Sequence, residues 1–165
     1  MNINFNSDEV FEIAEQMERN GAKFYIDASK KKENKKYSQL LQKLSAMEVE
    51  HEKVFASMRK KLTEGRDKSV DFDPDGQMAL YLRAWADGKV FNDIKNPIED
   101  LVGENASMEK ILKVAIDLEH DSILYYLGIK EMTSDEESKN QLDKIIKEEI
   151  SHVAYLKKEL ELLNK

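Results

Sequence analysis

Glu-Val-Glu-His at Glu48–His51 recurs 101 residues later as Glu-Ile-Ser-His at Glu149–His152. In both copies a further glutamate, Glu18 or Glu119, stands 30 residues before the first glutamate of the pattern. The equal gaps indicate an internal repeat that places four carboxylates and two imidazoles in approximate twofold register. These ligand types in this pattern are typical of a carboxylate-bridged site for two metal ions in a four-helix bundle.

The repeated glutamates and histidines lie in the middle of apolar helical stripes. Glu18 is the polar exception on a stripe from Phe11 to Ala28, and Glu119 is the exception at the same place in the second copy. A single glutamate on a helix is more often a solvated surface residue. An ionised carboxylate in an apolar layer, however, is strongly disfavoured unless it is paired or coordinated, so four in one layer require cations. Two divalent ions would balance the four charges, and glutamate at i and histidine at i+3 share one helix face.

The composition favours one all-helical domain. The chain has 165 residues, 41% of them hydrophobic, with only two prolines and six glycines to interrupt good helix formers. A net charge of −7 argues against nucleic acid as a partner. The absence of cysteine leaves oxygen and nitrogen as the metal ligands. No apolar stretch of membrane-spanning length and no signal-peptide pattern occur, so we expect no membrane association and a cytoplasmic location.

Apolar residues recur at spacings of three and four in four segments, which predicts four amphipathic helices. Ser7 is predicted to cap the first helix, and Ser134 with Glu137 to form a capping box at the fourth. The links at Lys30–Lys36 and near Thr133 are short, so each joins antiparallel neighbours. The predicted helices cover residues 8–30, 35–62, 107–131 and 135–163.

A connection of more than forty residues, from Leu62 to Ser107, separates the second and third helices. It is too long for a plain loop, and Met78–Trp85 within it has helical spacing. A crossover of this length lets the third helix run parallel to the second. The predicted fold class is therefore all-α, a ferritin-like four-helix bundle with a long crossover between helices two and three.

Met17–Tyr25 and Leu118–Tyr126 resemble the first and third helices of the rubrerythrin branch of the ferritin-like superfamily. The two Glu-x-x-His helices resemble its second and fourth. The resemblance covers the four helices and implies that residues 1–165 form a single di-iron domain that reacts with hydrogen peroxide or dioxygen, with manganese or zinc as possible substitutes for the two iron ions. The iron ligands that it implies are Glu18, Glu48, His51, Glu119, Glu149 and His152.

The chain departs from the rubrerythrin pattern at two points. Full-length rubrerythrins carry a rubredoxin domain with cysteine-ligated iron, whereas this chain has no cysteine, so a separate rubredoxin-like donor is expected to supply electrons. Ser122 stands where rubrerythrins place a second glutamate, three residues after the ligand of helix three. The six-ligand set therefore resembles the smaller, rubredoxin-free members of the branch.

Three functions are open on the sequence alone. The first is a di-iron oxidoreductase acting as a homodimer, the second is ferroxidation with iron storage or delivery, and the third is a metal-binding bundle without catalysis. Tyr25 and Tyr126, seven residues after Glu18 and Glu119, are either donors to a metal-bound carboxylate or core tyrosines satisfied elsewhere. His120 lies off the stripe and is expected at the surface.

Overall fold

In a computed structural model, the protein is described at residues 7–64, 76–89 and 101–165. These ranges are helical apart from short turns and contain no strand, which confirms the all-α class. A 3-10 helix, Lys32–Tyr37, occupies the lysine-rich link. Among the described helices, none is both long enough and apolar enough to span a bilayer. The α-helices are α1 Ser7–Ser29, α2 Ser38–Thr63, α3 Gln77–Lys89, α4 Met108–Met132 and α5 Glu136–Leu163.

The helix boundaries lie close to the predicted ones, but one predicted cap is wrong. The N-cap of α5 is Asp135, whose carboxylate accepts a hydrogen bond from the backbone N–H of Ser138 at 2.7 Å. The capping box predicted at Ser134 is one residue out of register, because an ionised aspartate at the next position is a strong N-cap and also favours the helix dipole. Ser107 caps α4 in the same way, which the sequence reasoning did not single out.

The helices pair as two antiparallel hairpins, α1 with α2 and α4 with α5. Near the start of α1, Arg59 of α2 donates two hydrogen bonds to Asp8, at 2.7 and 2.9 Å. Further along α1, the hydroxyl of Ser45 donates to the carbonyl of Ala22 at 2.8 Å. The partner numbers fall along α2 as they rise along α1, so the two helices run in opposite directions.

Contacts between the hairpins set the direction of α4 relative to α2. Tyr125 of α4 donates to the carbonyl of Val10 near the start of α1, whereas Tyr25, later in α1, donates to Glu119, earlier in α4. α1 and α4 are therefore antiparallel. Because α2 and α4 both run opposite to α1, they run in the same direction, as the long crossover predicts.

The apolar core is divided into two clusters, and each of the four long helices contributes to both. Along α1, for example, Phe11 belongs to one cluster, Phe24 belongs to the other, and the buried Glu18 lies between them. Cluster A includes Phe11, Phe55, Tyr126, Ile129 and Leu142, and cluster B includes Phe24, Leu41, Leu44, Leu112 and Leu156.

The helix predicted within the crossover is confirmed as α3, and it packs on α4. Leu82 of α3 is fully buried in cluster A. A Cβ atom at Gly128 of α4 would lie 2.7 Å from Cδ2 of Leu82, so the missing side chain lets the two helices approach closely. The other parts of the predicted crossover at residues 65–75 and 90–100 lie outside the described ranges.

Candidate metal centre

The six side chains that the sequence predicts as ligands converge in one buried layer between cluster A and cluster B. None of them is more than 3% exposed. α1 and α4 each contribute one glutamate, while α2 and α5 each contribute a glutamate and a histidine on one helix face. The layer consists of Glu18, Glu48, His51, Glu119, Glu149 and His152.

The ligand atoms of this layer form two groups of four, and two glutamates belong to both groups. Within each group, one atom from every residue lies within 4.8 Å of the others, which is close enough to surround one ion. Each group has three carboxylates and one imidazole. The first group is Glu18, Glu48, His51 and Glu149, and the second is Glu48, Glu119, Glu149 and His152.

The two shared glutamates lie between the two histidines. Oε1 of Glu149 is 2.9 Å from Nδ1 of His51, and its Oε2 is 2.8 Å from Nδ1 of His152. Glu48 has the same arrangement at longer range, with Oε2 3.2 Å from Nδ1 of His51 and Oε1 3.6 Å from Nδ1 of His152. Each shared carboxylate thus presents one oxygen to each group, as a bridge between two ions requires.

Two buried tyrosines hydrogen-bond to the remaining glutamates. The hydroxyl of Tyr25 donates to Oε1 of Glu119, and the hydroxyl of Tyr126 donates to Oε1 of Glu18. The structure therefore shows both tyrosines as donors to carboxylates of the layer, and not as core tyrosines whose hydroxyls are satisfied elsewhere. The bonds cross between α1 and α4, so each tyrosine serves the glutamate of the other repeat. Burial and nearby carboxylates raise the pKa of both hydroxyls, which keeps them protonated as donors.

A further carboxylate, Glu148, contacts the layer from its edge. The Nε2–H of His51 donates to Oε2 of Glu148 at 2.8 Å. The other ring nitrogen of His51, Nδ1, faces the glutamates of the layer. The sequence reasoning missed Glu148, although its position directly before Glu149 on the helix opposite His51 could have indicated it. In the first copy of the repeat, Met47 takes the same place.

Burial and mutual repulsion favour the protonated form of three carboxyl groups. Burial raises the pKa of Glu18 well above its usual range, and the charge of Glu48 raises it further. The pKa of Glu48 is raised by burial and by the charge of Glu119. For Glu119, burial and the charge of Glu149 raise the pKa to about 8. Without cations, the layer therefore does not carry four full negative charges at neutral pH.

Glu149 and the two histidines form the ionised part of the layer. Burial acts to raise the pKa of Glu149, but contacts with His152 and His51 outweigh it and lower the pKa to about 2. Burial opposes protonation of the imidazoles, yet contacts with Glu119 and Glu149 raise the pKa of His152 to about 12. Contacts with carboxylates likewise raise the pKa of His51. Protons thus occupy nitrogens that a metal ion would use, and metal binding must release them.

Several buried atoms of the layer have no hydrogen-bond partner. These are both carboxylate oxygens of Glu149 and both ring nitrogens of His152. Nδ1 of His152 lies 2.8 Å from Oε2 of Glu149, but without hydrogen-bond geometry. An unpaired buried polar group costs about 1–3 kcal/mol, so such groups are normally satisfied. Cations would satisfy them, and oxygen and nitrogen donors suit iron, manganese or zinc. The residues present therefore fit a pair of divalent metal ions.

Comparison with known proteins adds no information on this site. No family model, no curated protein and no solved structure matches the chain. The candidate site is therefore defined by its ligand types, their burial and the sharing of two carboxylates.

Small residues occupy the positions that follow Glu18 and Glu119 by three. Gly21 is partly exposed, and a Cβ atom there would lie 3.4 Å from Cγ of Glu48. Ser122 is its counterpart in the second repeat and is also partly exposed. The absence of a side chain at Gly21 leaves room beside Glu48. His120 is exposed, as predicted.

The metal-free protein is expected to lose stability as the pH rises from about 4.5 to about 8. Glu119 holds its proton more tightly in the folded state, with a pKa of about 8 against the usual 4.5. Its contribution to stability is therefore complete below pH 4.5 and is lost as the pH passes through 8. The raised pKa values of Glu18 and Glu48 act in the same direction. For each proton that only the folded state retains, the free energy of unfolding falls by up to about 1.4 kcal/mol per unit of rise in pH.

Urea denaturation in a metal chelator, repeated across this pH range, measures the effect. Glu119→Gln cannot titrate, so its profile should be flatter than that of the wild type. A wild-type profile that rises with pH would contradict the prediction.

Proposed function

We propose that the protein is a non-haem di-iron oxidoreductase with a ferritin-like four-helix bundle, which reduces hydrogen peroxide or dioxygen with electrons from an external donor. The observation that carries the proposal is the sharing of Glu48 and Glu149 between two ligand groups of equal composition. The common direction of α2 and α4 supports the ferritin-like connectivity. The choice of iron rests on the resemblance of the four helices to rubrerythrins.

The chain would hold two ions side by side through its repeated ligands. Glu48 and Glu149 would bridge them, while the Nδ1 atoms of the two histidines would complete one position each. When bound, two ferrous ions would supply the two electrons that convert hydrogen peroxide and two protons into two water molecules. The remaining glutamates, Glu18 and Glu119, would each bind one ion.

The surrounding side chains would keep this arrangement rigid and dry. Tyr25 and Tyr126 each engage one oxygen of a terminal glutamate, which orients the carboxylate. At Glu18 the second oxygen, Oε2, lies 3.6 Å from Nδ1 of His51 and would be left for an ion. Clusters A and B cover the layer from both ends of the bundle and exclude water from it. Because the residues of this chain include no cysteine, the electron donor is proposed to be a separate rubredoxin-like protein.

Peroxide consumption is expected to depend on that donor. Anaerobic protein loaded with two ferrous ions, mixed with peroxide in a stopped-flow instrument, should consume one peroxide per pair of ions and react more slowly with dioxygen. NADH alone should not sustain turnover, whereas NADH with a rubredoxin and its reductase should. Uptake of tens of irons per chain as a mineral, without donor-dependent peroxide consumption, would instead establish iron storage.

Tyrosine variants provide a matched control for this experiment. Tyr126→Phe removes the hydrogen bond to Glu18 and is expected to lower the peroxide rate about 10–100-fold. Tyr125→Phe removes an equally buried hydroxyl that donates to the carbonyl of Val10, away from the layer, at 3.1 Å. That variant should retain the wild-type rate. Equal loss in both variants would show that the tyrosine effect is on folding and not on the site.

A further inference from the structure

The approximate twofold symmetry of the layer is broken beside the histidines. Under the shift of 101 residues, every glutamate and histidine of the layer has a counterpart of the same type. The two tyrosines also exchange their hydrogen bonds symmetrically. Glu148 does not follow this rule, because its counterpart is Met47.

Because of this difference, only one of the two imidazoles has a carboxylate as the acceptor for its Nε2–H. Nε2 of His51 donates to Glu148 at 2.8 Å. Nε2 of His152 is buried and has no hydrogen-bond partner. A thioether is only a weak acceptor, so Met47 cannot replace the carboxylate. One histidine of the pair is thus oriented by a charged acceptor, and the other is not.

A carboxylate on the far nitrogen changes an imidazole as a ligand. It fixes the proton on Nε2, leaves the lone pair on Nδ1, and makes that nitrogen a stronger donor to a metal. Nδ1 of His51 is the nitrogen that faces Glu48 and Glu149. The bridging glutamates are common to both positions, so they do not distinguish one ion from the other.

We propose that the two metal positions are inequivalent, and that Glu148 is the positioning residue that makes the position of Glu18 and His51 fill first and hold its ion more tightly. The position of Glu119 and His152 then binds the weaker, more exchangeable ion. The inference rests on the proposed two-metal function, but it concerns the order of binding and not the reaction.

Nuclear magnetic resonance of protein labelled with nitrogen-15 in its histidines tests the order directly. Zinc ions are titrated into the metal-free protein. The Nδ1 signal of His51 should move to its metal-bound position with the first equivalent, and that of His152 with the second. The two dissociation constants should differ about 10-fold or more.

Substitutions at Glu148 and at its counterpart Met47 provide matched variants. Glu148→Met should bring the two constants together, and Met47→Glu with Glu148→Met should reverse the order of filling. Glu148→Gln retains an acceptor without the charge and should keep the order with a smaller ratio. Far-UV circular dichroism checks that each variant is folded. The side chain of Glu148 is 34% exposed, so its substitution is not expected to disturb the core.

The possible results separate this inference from the function on which it rests. If two zinc ions bind but the two histidine signals move together in the wild type, or if Glu148→Met keeps the wild-type order, the inference is overturned and the two-metal site stands. If no zinc binds to any form, the inference and the proposed function both fail.

Discussion

Combining Glu18→Gln with Glu119→Gln is expected to abolish the binding of two metal ions and to stabilise the metal-free protein. Glutamine keeps the oxygen that accepts a hydrogen bond from Tyr126 or Tyr25, but it removes the charge that holds a cation. In the metal-free layer these carboxyl groups are buried and repelled by their neighbours. At neutral pH folding must therefore place protons on carboxyl groups that are ionised in the unfolded chain. Glutamine needs no such proton, so the double variant should raise the free energy of unfolding by about 1–4 kcal/mol at neutral pH.

Isothermal titration with manganese or zinc measures the binding, and urea denaturation in a chelator measures the stability. The control combines Glu50→Gln with Glu109→Gln. Those side chains are 69% and 44% exposed, and each pairs with a lysine one helical turn away. Exposed ion pairs contribute about 0–1 kcal/mol to stability, so this control should be about as stable as the wild type. It should also bind two ions as the wild type does, because the exposed side chains lie outside the buried layer. If the variant at Glu18 and Glu119 still binds two ions, those residues are not ligands.

Loading the metal-free protein with two divalent ions is expected to raise its melting temperature by about 15–30 °C. A ligand present at a thousand times its dissociation constant stabilises the folded state by about 4 kcal/mol per site. For a chain of this size, 1 kcal/mol corresponds to about 2–4 °C. The unpaired oxygens of Glu149 and nitrogens of His152 make the layer the part of the fold that gains most from an ion.

Differential scanning calorimetry of metal-free and loaded protein gives this shift, and added chelator should reverse it. The variant with glutamine at positions 18 and 119 should show no shift at the same metal concentration. If the wild type binds two ions without a change in melting temperature, the ions lie outside the buried layer, and the ligand set proposed here is wrong.

The position of the layer could be predicted from the sequence because burial makes its residues conspicuous. A glutamate such as Glu18 in the middle of an apolar stripe is costly unless something neutralises it, and its repetition at Glu119 makes chance placement a poor explanation. The helical spacing of the stripes also predicts which face of each helix is inward. The structure accordingly brings together residues that lie up to 134 positions apart, from Glu18 to His152.

Features that depend on the relation between helices could not be predicted in this way. Periodicity assigns Tyr25 to the inward face of α1, but it does not specify that the hydroxyl reaches Glu119 on α4 and not Glu18 on its own helix. The contact of Glu148 with His51 depends on the register of α5 against α2. The cap of α5 depends on competition between two neighbouring residues, and Asp135 wins because its carboxylate is charged.

The two hydrogen bonds of Tyr25 and Tyr126 connect the two hairpins of this chain in the same reciprocal way as contacts connect the subunits of a homodimer. Tyr25 reaches from the first hairpin to Glu119, and Tyr126 reaches back from the second hairpin to Glu18. Reciprocal contacts of this kind define an isologous interface between two identical subunits. In a true homodimer, one mutation changes both halves at once, so the two metal positions must stay alike. Joining the halves in one polypeptide removes that restriction, and each half can then diverge separately.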